Sequence, residues 1–191
     1  METSGDAYLF FVNRALDGMV AIVGELGDDL ACTAPELPGA NSPYVTLHHC
    51  LAVMDYWGGH VVAGREVHRD RDEEFAASGP VARLISAAVA ARRQFAEDMA
   101  AAEPAAPPRR PPLASTWAGP PPETQEHALL HILEELAQHH GQAQLTRDLH
   151  LPGAKTISAR SRQSQSDWIT APAGRTTEPR RGSRDPAGGF P

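Results

Sequence analysis

Four amphipathic segments restrict the fold of this chain more than any other feature of its sequence. In each segment apolar residues recur at three- and four-residue steps, which places them on one face of an α-helix. The segments cover about residues 6–26, 42–64, 78–102 and 124–151, and capping or helix-breaking residues mark their ends. No stretch has a convincing strand pattern. The sequence therefore predicts an all-α protein, with a four-helix bundle over residues 6–149.

The third and fourth segments are joined by a long proline-rich connection. Eight of the chain's seventeen prolines fall between residues 104 and 122, which predicts a stiff, extended crossover before the last helix. From residue 151 the chain is rich in Ser, Arg, Gly and Pro and loses its helical period. The sequence thus predicts one folded domain, residues 1–150, and a disordered basic tail, residues 151–191.

Charge and composition exclude several classes of function. The formal net charge is −7, with −11 on residues 1–150 and +4 on residues 151–191. An acidic body argues against nucleic-acid binding, which needs clustered Arg or Lys. The chain shows neither a signal peptide nor the run of about 18 apolar residues expected of a membrane span. Its two cysteines, Cys32 and Cys50, do not suggest a disulfide framework. We expect a cytoplasmic protein with free thiols and no membrane partner.

The chemical signal lies on the second and fourth segments. Glu135 and His139 are four residues apart, so their side chains lie about 40° apart on one helix face. His49 falls on the apolar face of the second segment, whereas His48 points toward the polar side. Two ligands from one helix and one from another would form an open three-ligand metal site, with room for water or substrate.

Each of these residues also has an ordinary structural interpretation. A histidine on an apolar face is commonly a hydrogen-bonded core residue, and a glutamate at the edge of an apolar stripe is commonly a solvated flank. The joint pattern is harder to explain structurally, because a buried carboxylate is costly unless it is paired or metal-bound. Spacing alone leaves both interpretations open.

Two stretches of sequence carry a family resemblance: NSPYVTLHHCLAVMDYWGGHVVAGREVHRDRDEEF, in which His49 lies eight residues before Trp57, and EELAQHHGQAQL. Over residues 6–149 the chain resembles the DinB superfamily, and more closely the metal-binding domain of mycothiol-dependent maleylpyruvate isomerase. The resemblance implies that His49, Glu135 and His139 are the metal ligands. Close relatives often have a histidine where this chain has Gln142, so Gln142 is assigned to the pocket and not to the metal. The basic tail is unlike the family.

The resemblance implies a transferase or isomerase in which a divalent ion activates a low-molecular-weight thiol such as mycothiol, or a water, for reaction with a small electrophile. Zinc suits two imidazoles and a carboxylate, and nickel is also compatible with them. Four residues are assigned to substrate binding: Tyr56, His60, Arg65 and Gln142. The alternative is a non-catalytic metal-binding bundle that acts as a structural or dimerisation module, including a homodimer. A fourth protein ligand, either His131 or Cys50, would favour that alternative.

Overall fold

A computed structural model describes residues 5–113, 117 and 119–151, and in these residues the chain is helical with no strand. The elements are α1 (Gly5–Ala31), α2 (Pro43–Val53), a π-helical segment (Met54–Val62), α3 (Arg71–Phe75), α4 (Val81–Ala100) and α5 (Gln125–His150). The all-α prediction is confirmed. The predicted disordered tail lies outside the described residues, apart from its first residue.

Helices α2 and α5 begin where the sequence predicts, because local capping chemistry decides these points. The Ser42 hydroxyl accepts a hydrogen bond from the Val45 N–H at 3.2 Å, and Pro43 occupies the first turn of α2. Thr124 caps α5 in the same way, at 3.3 Å from the His127 N–H. Gly27 was predicted to end the first helix, but it only kinks α1: its φ of 68° interrupts the regular helix, which continues to Ala31.

The second segment was predicted as one α-helix, and here the prediction is wrong. From Met54 to Val62 the backbone takes the wider π-helical turn, which ends with the Ala63 N–H donating to the Gly58 carbonyl at 2.8 Å. A Cβ on Gly58 would lie 2.7 Å from the Phe95 ring of α4. The π-helical segment can therefore approach α4 closely only because glycine stands at this position.

Helix α5 packs against α1, α2 and the π-helical segment, while α1 also packs on α4. Large apolar side chains from all of these helices are fully buried, and they include Leu16, Met19, Ile22, Leu47, Trp57, Leu84, Ile132 and Leu136. Burying a side chain of this size contributes about 1.5–3 kcal/mol. The packing of α2 on α5 brings His49 close to the histidines of α5.

Helix α1 is long and apolar enough to cross a membrane by length and composition alone. It is the one helix of this kind in the described residues. Its buried residues, Val12, Leu16, Met19 and Ile22 among them, form part of the core, as those of a core helix in a soluble protein also do.

The described part of the proline-rich crossover is hydrogen-bonded to the helices. The Arg109 N–H donates to the Val61 carbonyl at 2.9 Å, and the Leu113 N–H donates to the Tyr56 hydroxyl at 2.9 Å. Near the start of α5, the Gln125 side chain accepts from the Glu103 N–H at 2.9 Å. The crossover thus covers the end of the bundle that carries the π-helical segment.

Candidate metal centre

The structure brings His49, Glu135 and His139 together between α2 and α5. One donor atom from each residue lies within 4.8 Å of the other two. The Glu135 Oε2 atom is 3.4 Å from His49 Nε2 and 3.2 Å from His139 Nε2. A tetrahedral zinc ion with bonds of about 2.0–2.1 Å holds its ligand atoms about 3.4 Å apart. The donor set and its spacing therefore fit a divalent ion of this size.

The Nδ1 atom of His49, which faces away from Glu135, contacts a buried Glu–Arg ion pair. His49 is 5% exposed, and its Nδ1 lies 2.9 Å from Oε2 of Glu74. Arg69 donates to both carboxylate oxygens of Glu74, at 2.6 and 3.0 Å. With an Nδ1–H donated to Glu74, Nε2 is the ring nitrogen that faces Glu135, and loss of the Nε2 proton would free a lone pair for a metal ion. The contact with Glu74 therefore orients the ring so that Nε2 is the nitrogen available for a metal ion.

His139 is oriented by a neutral partner one turn further along α5. Its Nδ1 lies 2.9 Å from the Gln142 Oε1 atom, so an Nδ1–H donates to the amide carbonyl and Nε2 again faces Glu135. Gln142 was assigned to substrate binding from the sequence. In the structure the side-chain carbonyl of Gln142 contacts the candidate ligand His139. A role of Gln142 in substrate binding stays a prediction.

The three groups also shift one another's proton affinities. Hydrogen bonds from His139 and His49 lower the pKa of Glu135 well below its ordinary range, although burial opposes this. Burial alone would lower the pKa of His49, but hydrogen bonds to Glu135 and Glu74 outweigh it and raise that pKa. Glu135 is thus ionised and ready to bind a cation at neutral pH, whereas His49 must release its proton for a cation to bind.

Aromatic rings and a third histidine lie beside Glu135. The Nε2 atom of His131 is 3.7 Å from Glu135 Oε1, and its ring contacts Trp57 and Trp117 at centroid distances of 4.5 and 4.7 Å. Cys50 is fully buried, and burial raises the pKa of its thiol. Within the described part of the chain, neither His131 nor Cys50 belongs to the converging donor group, which has three members.

The remaining residues assigned to substrate binding lie in two different places. Tyr56 is buried between the parallel ring of His60, 5.0 Å away, and the Arg69 guanidinium, 5.6 Å from its centroid. Tyr56 therefore packs against the same arginine that holds Glu74. Arg65 donates twice to Asp98 at 2.9 Å and once to Asp55 at 2.6 Å.

Arg65 lines a different cleft, of about 270 Å³, between α2, the π-helical segment and α4. None of His49, Glu135 and His139 lines this cleft. The turn after the π-helical segment directs Arg65 toward α4, where the buried Asp98 pairs with it. The structure thus does not bring Arg65 together with His49, Glu135 and His139, and a substrate contact by Arg65 stays a prediction.

The sequence interpretation missed Glu74 and Arg69. The sequence offered one weak local indication of the short helix that carries Glu74, namely Asp70 as its N-cap residue. In the structure the Asp70 side chain accepts from the Asp72 and Glu73 N–H groups at 3.0 and 3.1 Å and caps α3. A helix of five residues is too short to show an apolar period. Contact between this helix and His49 depends on how the chain reverses between the π-helical segment and α4.

Fold and site together define an all-α bundle with a candidate His/His/Glu metal centre at the junction of two helices. A family model described as Mycothiol-S-transferase matches residues 9–151, which is most of the chain. The protein therefore belongs to the mycothiol S-transferase family, a DinB-like family, and the resemblance found in the sequence is confirmed. Membership indicates transferase chemistry related to mycothiol. A search of curated proteins returned no match.

Proposed function

We propose that this protein is a metal-dependent S-transferase that joins a low-molecular-weight thiol of the mycothiol type to a small electrophile. The observation that carries the proposal is the three-member donor group, in which both imidazoles present Nε2 to the Glu135 carboxylate. Three protein ligands leave a coordination position for an exogenous group. The family supplies the class of thiol.

The chain's own residues would hold and orient the reactants. His49, Glu135 and His139 would hold the ion, with zinc favoured by the ligand set. A divalent ion held there would act as a Lewis acid and lower the pKa of a thiol or a water. In the transfer, the thiol would lose its S–H proton to solvent water, a carbon–sulfur bond would form, and the leaving group would depart from the electrophile with the bonding electron pair.

Aromatic side chains pack beside the histidine that neighbours Glu135. Trp57 and Trp117 pack on each other and on His131, whose Nε2 is 3.7 Å from Glu135, and Trp57 itself is 1% exposed. Apolar walls exclude water and strengthen electrostatic interactions with a charged nucleophile. Cys50 supplies no competing nucleophile, because burial keeps its thiol protonated.

The test combines metal analysis with a thiol-consumption assay. Mycothiol and cysteine would each be incubated with monobromobimane, with and without the purified protein. We expect about one zinc ion per chain and protein-dependent loss of the thiol. His139→Ala should lose both the metal and the activity, because a two-ligand site binds weakly. The matched control is Gln138→Ala, an exposed neighbour on α5 whose side chain bonds to Glu134 at the surface.

Gln142→Ala separates positioning from ligation. It removes the hydrogen-bond partner of His139 but no ligand, so we expect it to retain metal at saturating zinc and to lose only part of the activity. A wild-type protein that holds metal stoichiometrically yet consumes neither thiol with any of several electrophiles would refute the enzymatic proposal. That result would favour a non-catalytic metal-binding bundle.

A further inference from the structure

The segment between the π-helical segment and α4 directs its inward side chains at one histidine. Glu74 binds His49 Nδ1, Arg69 binds Glu74, and the Phe75 ring stacks on His49 with centroids 5.1 Å apart. Among the described elements, α3 contacts α2 alone. This short helix therefore packs on the part of the fold that presents His49.

The carboxylate of Glu74 accepts three hydrogen bonds, which together orient it. Its Oε1 accepts from Arg69 Nε, and its Oε2 accepts from both Arg69 Nη2 and His49 Nδ1. The side chains of Arg69 and Glu74 are 3% and 5% exposed. Such a buried pair contributes little net stability over an apolar pair of similar volume, because both charges are desolvated. It does fix the direction of the hydrogen bond that His49 makes.

We infer that Glu74 and Arg69 are positioning residues for metal binding, which act through His49 by holding its Nε2 toward Glu135 and His139. The inference rests on the proposed metal centre and adds an asymmetry to it. The Nδ1 of His49 contacts a carboxylate, which makes the imidazole a stronger electron-pair donor to a metal ion. The Nδ1 of His139 contacts only the neutral amide of Gln142. The carboxylate-supported histidine therefore contributes more to the affinity for the ion.

The experiment measures the affinity for Zn²⁺ alone, by competition with a chromophoric chelator, so that it does not depend on activity. Glu74→Ala should lower the affinity about 10- to 100-fold, the usual effect of losing a residue that supports a ligand. Glu74→Gln keeps an acceptor for the Nδ1–H and should lose about tenfold or less. The matched control is Glu73→Ala, which removes the same charge from an exposed position on the same helix and should leave the affinity unchanged.

A second variant guards against misfolding, because Glu74→Ala leaves the buried Arg69 without its partner. Arg69→Met combined with Glu74→Leu removes both charges while keeping the volume. We expect this double variant to fold, as judged by circular dichroism, and to lose affinity for Zn²⁺ as Glu74→Ala does. In the metal-free protein, at a pH high enough for His49 to be neutral, its nitrogen chemical shifts should show the remaining proton on Nδ1 in the wild type and a mixture of tautomers in the double variant.

The outcomes separate this inference from the proposed function. If the wild type binds Zn²⁺ and the folded double variant binds it within twofold of the wild type, Glu74 and Arg69 are not positioning residues, and the proposed function stands. If the wild type binds no Zn²⁺, both proposals are overturned. Equal losses in Glu73→Ala and Glu74→Ala would also overturn the inference, because they would show a general effect of charge.

Discussion

Protonation of Glu74 should destabilise the metal-free protein by an amount that follows from its surroundings. Burial opposes ionisation of this carboxyl, but hydrogen bonds from His49 and Arg69 lower its pKa from 4.5 to about 2. A group whose pKa is lowered on folding stabilises the folded state above its unfolded pKa and loses that effect as the pH falls toward the folded pKa. The relevant window for Glu74 is therefore pH 4.5 down to about 2.

The magnitude comes from the same shift. A change of this size corresponds to about 3 kcal/mol at 1.36 kcal/mol per pKa unit, and we expect about 2 kcal/mol to be measured because solvent partly screens the network. His49 acts in the opposite direction, since its pKa is raised: its contribution is complete below pH 6.5 and is lost as the pH rises above that value. The metal-free protein should be most stable between about pH 5 and 6.

Urea denaturation in the presence of a chelator would measure this effect in the wild type and in Glu74→Gln. Working between about pH 3 and 6 keeps His49 protonated in both the folded and the unfolded state. The free energy of unfolding of the wild type should exceed that of the variant by about 2 kcal/mol at pH 6, and the difference should shrink as the pH falls below 4.5. A difference that is constant across this range would refute the argument, because protonated Glu74 and glutamine carry the same charge.

Three further predictions concern packing and thiol reactivity. Gly58→Ala should destabilise the protein by about 1–3 kcal/mol, because the new Cβ meets the buried Phe95 ring; thermal unfolding would measure this, and an unchanged midpoint would contradict it. Gly141→Ala, which meets nothing within 4 Å, should instead stabilise α5 by about 0.5–1 kcal/mol, and a loss of stability in the same experiment would contradict this. Cys50 should resist dithiobis(nitrobenzoate) in the native protein and react with it in urea, because its thiol is fully buried and has a raised pKa. Cys32 is only half-buried and should react faster in the native protein. Equal rates for the two thiols in the native protein would contradict the burial argument.

The first residues of α2 and α5, and the break in α1, could be predicted because the forces that set them are local. Ser42 and Thr124 cap their helices through hydrogen bonds to residues three positions away, and Gly27 takes a backbone conformation that other residues avoid. The π-helical turn could not be predicted in this way. Its close approach to α4, where Gly58 lies against Phe95, involves a residue of another helix.

The candidate site also has a part that the sequence determined and a part that only the tertiary structure decided. Glu135 and His139 share a face because a helix places residues four apart one turn above the other, so the sequence alone determined that pair. The sequence also marked His49 as facing the core. Only the packing of α2 on α5 brought its Nε2 to within 3.4 Å of Glu135. The support of His49 by Glu74 and Arg69 was likewise decided by tertiary structure. A hydrogen bond between residues 25 positions apart depends on the path of the whole intervening chain, whereas helical periodicity extends only a few residues.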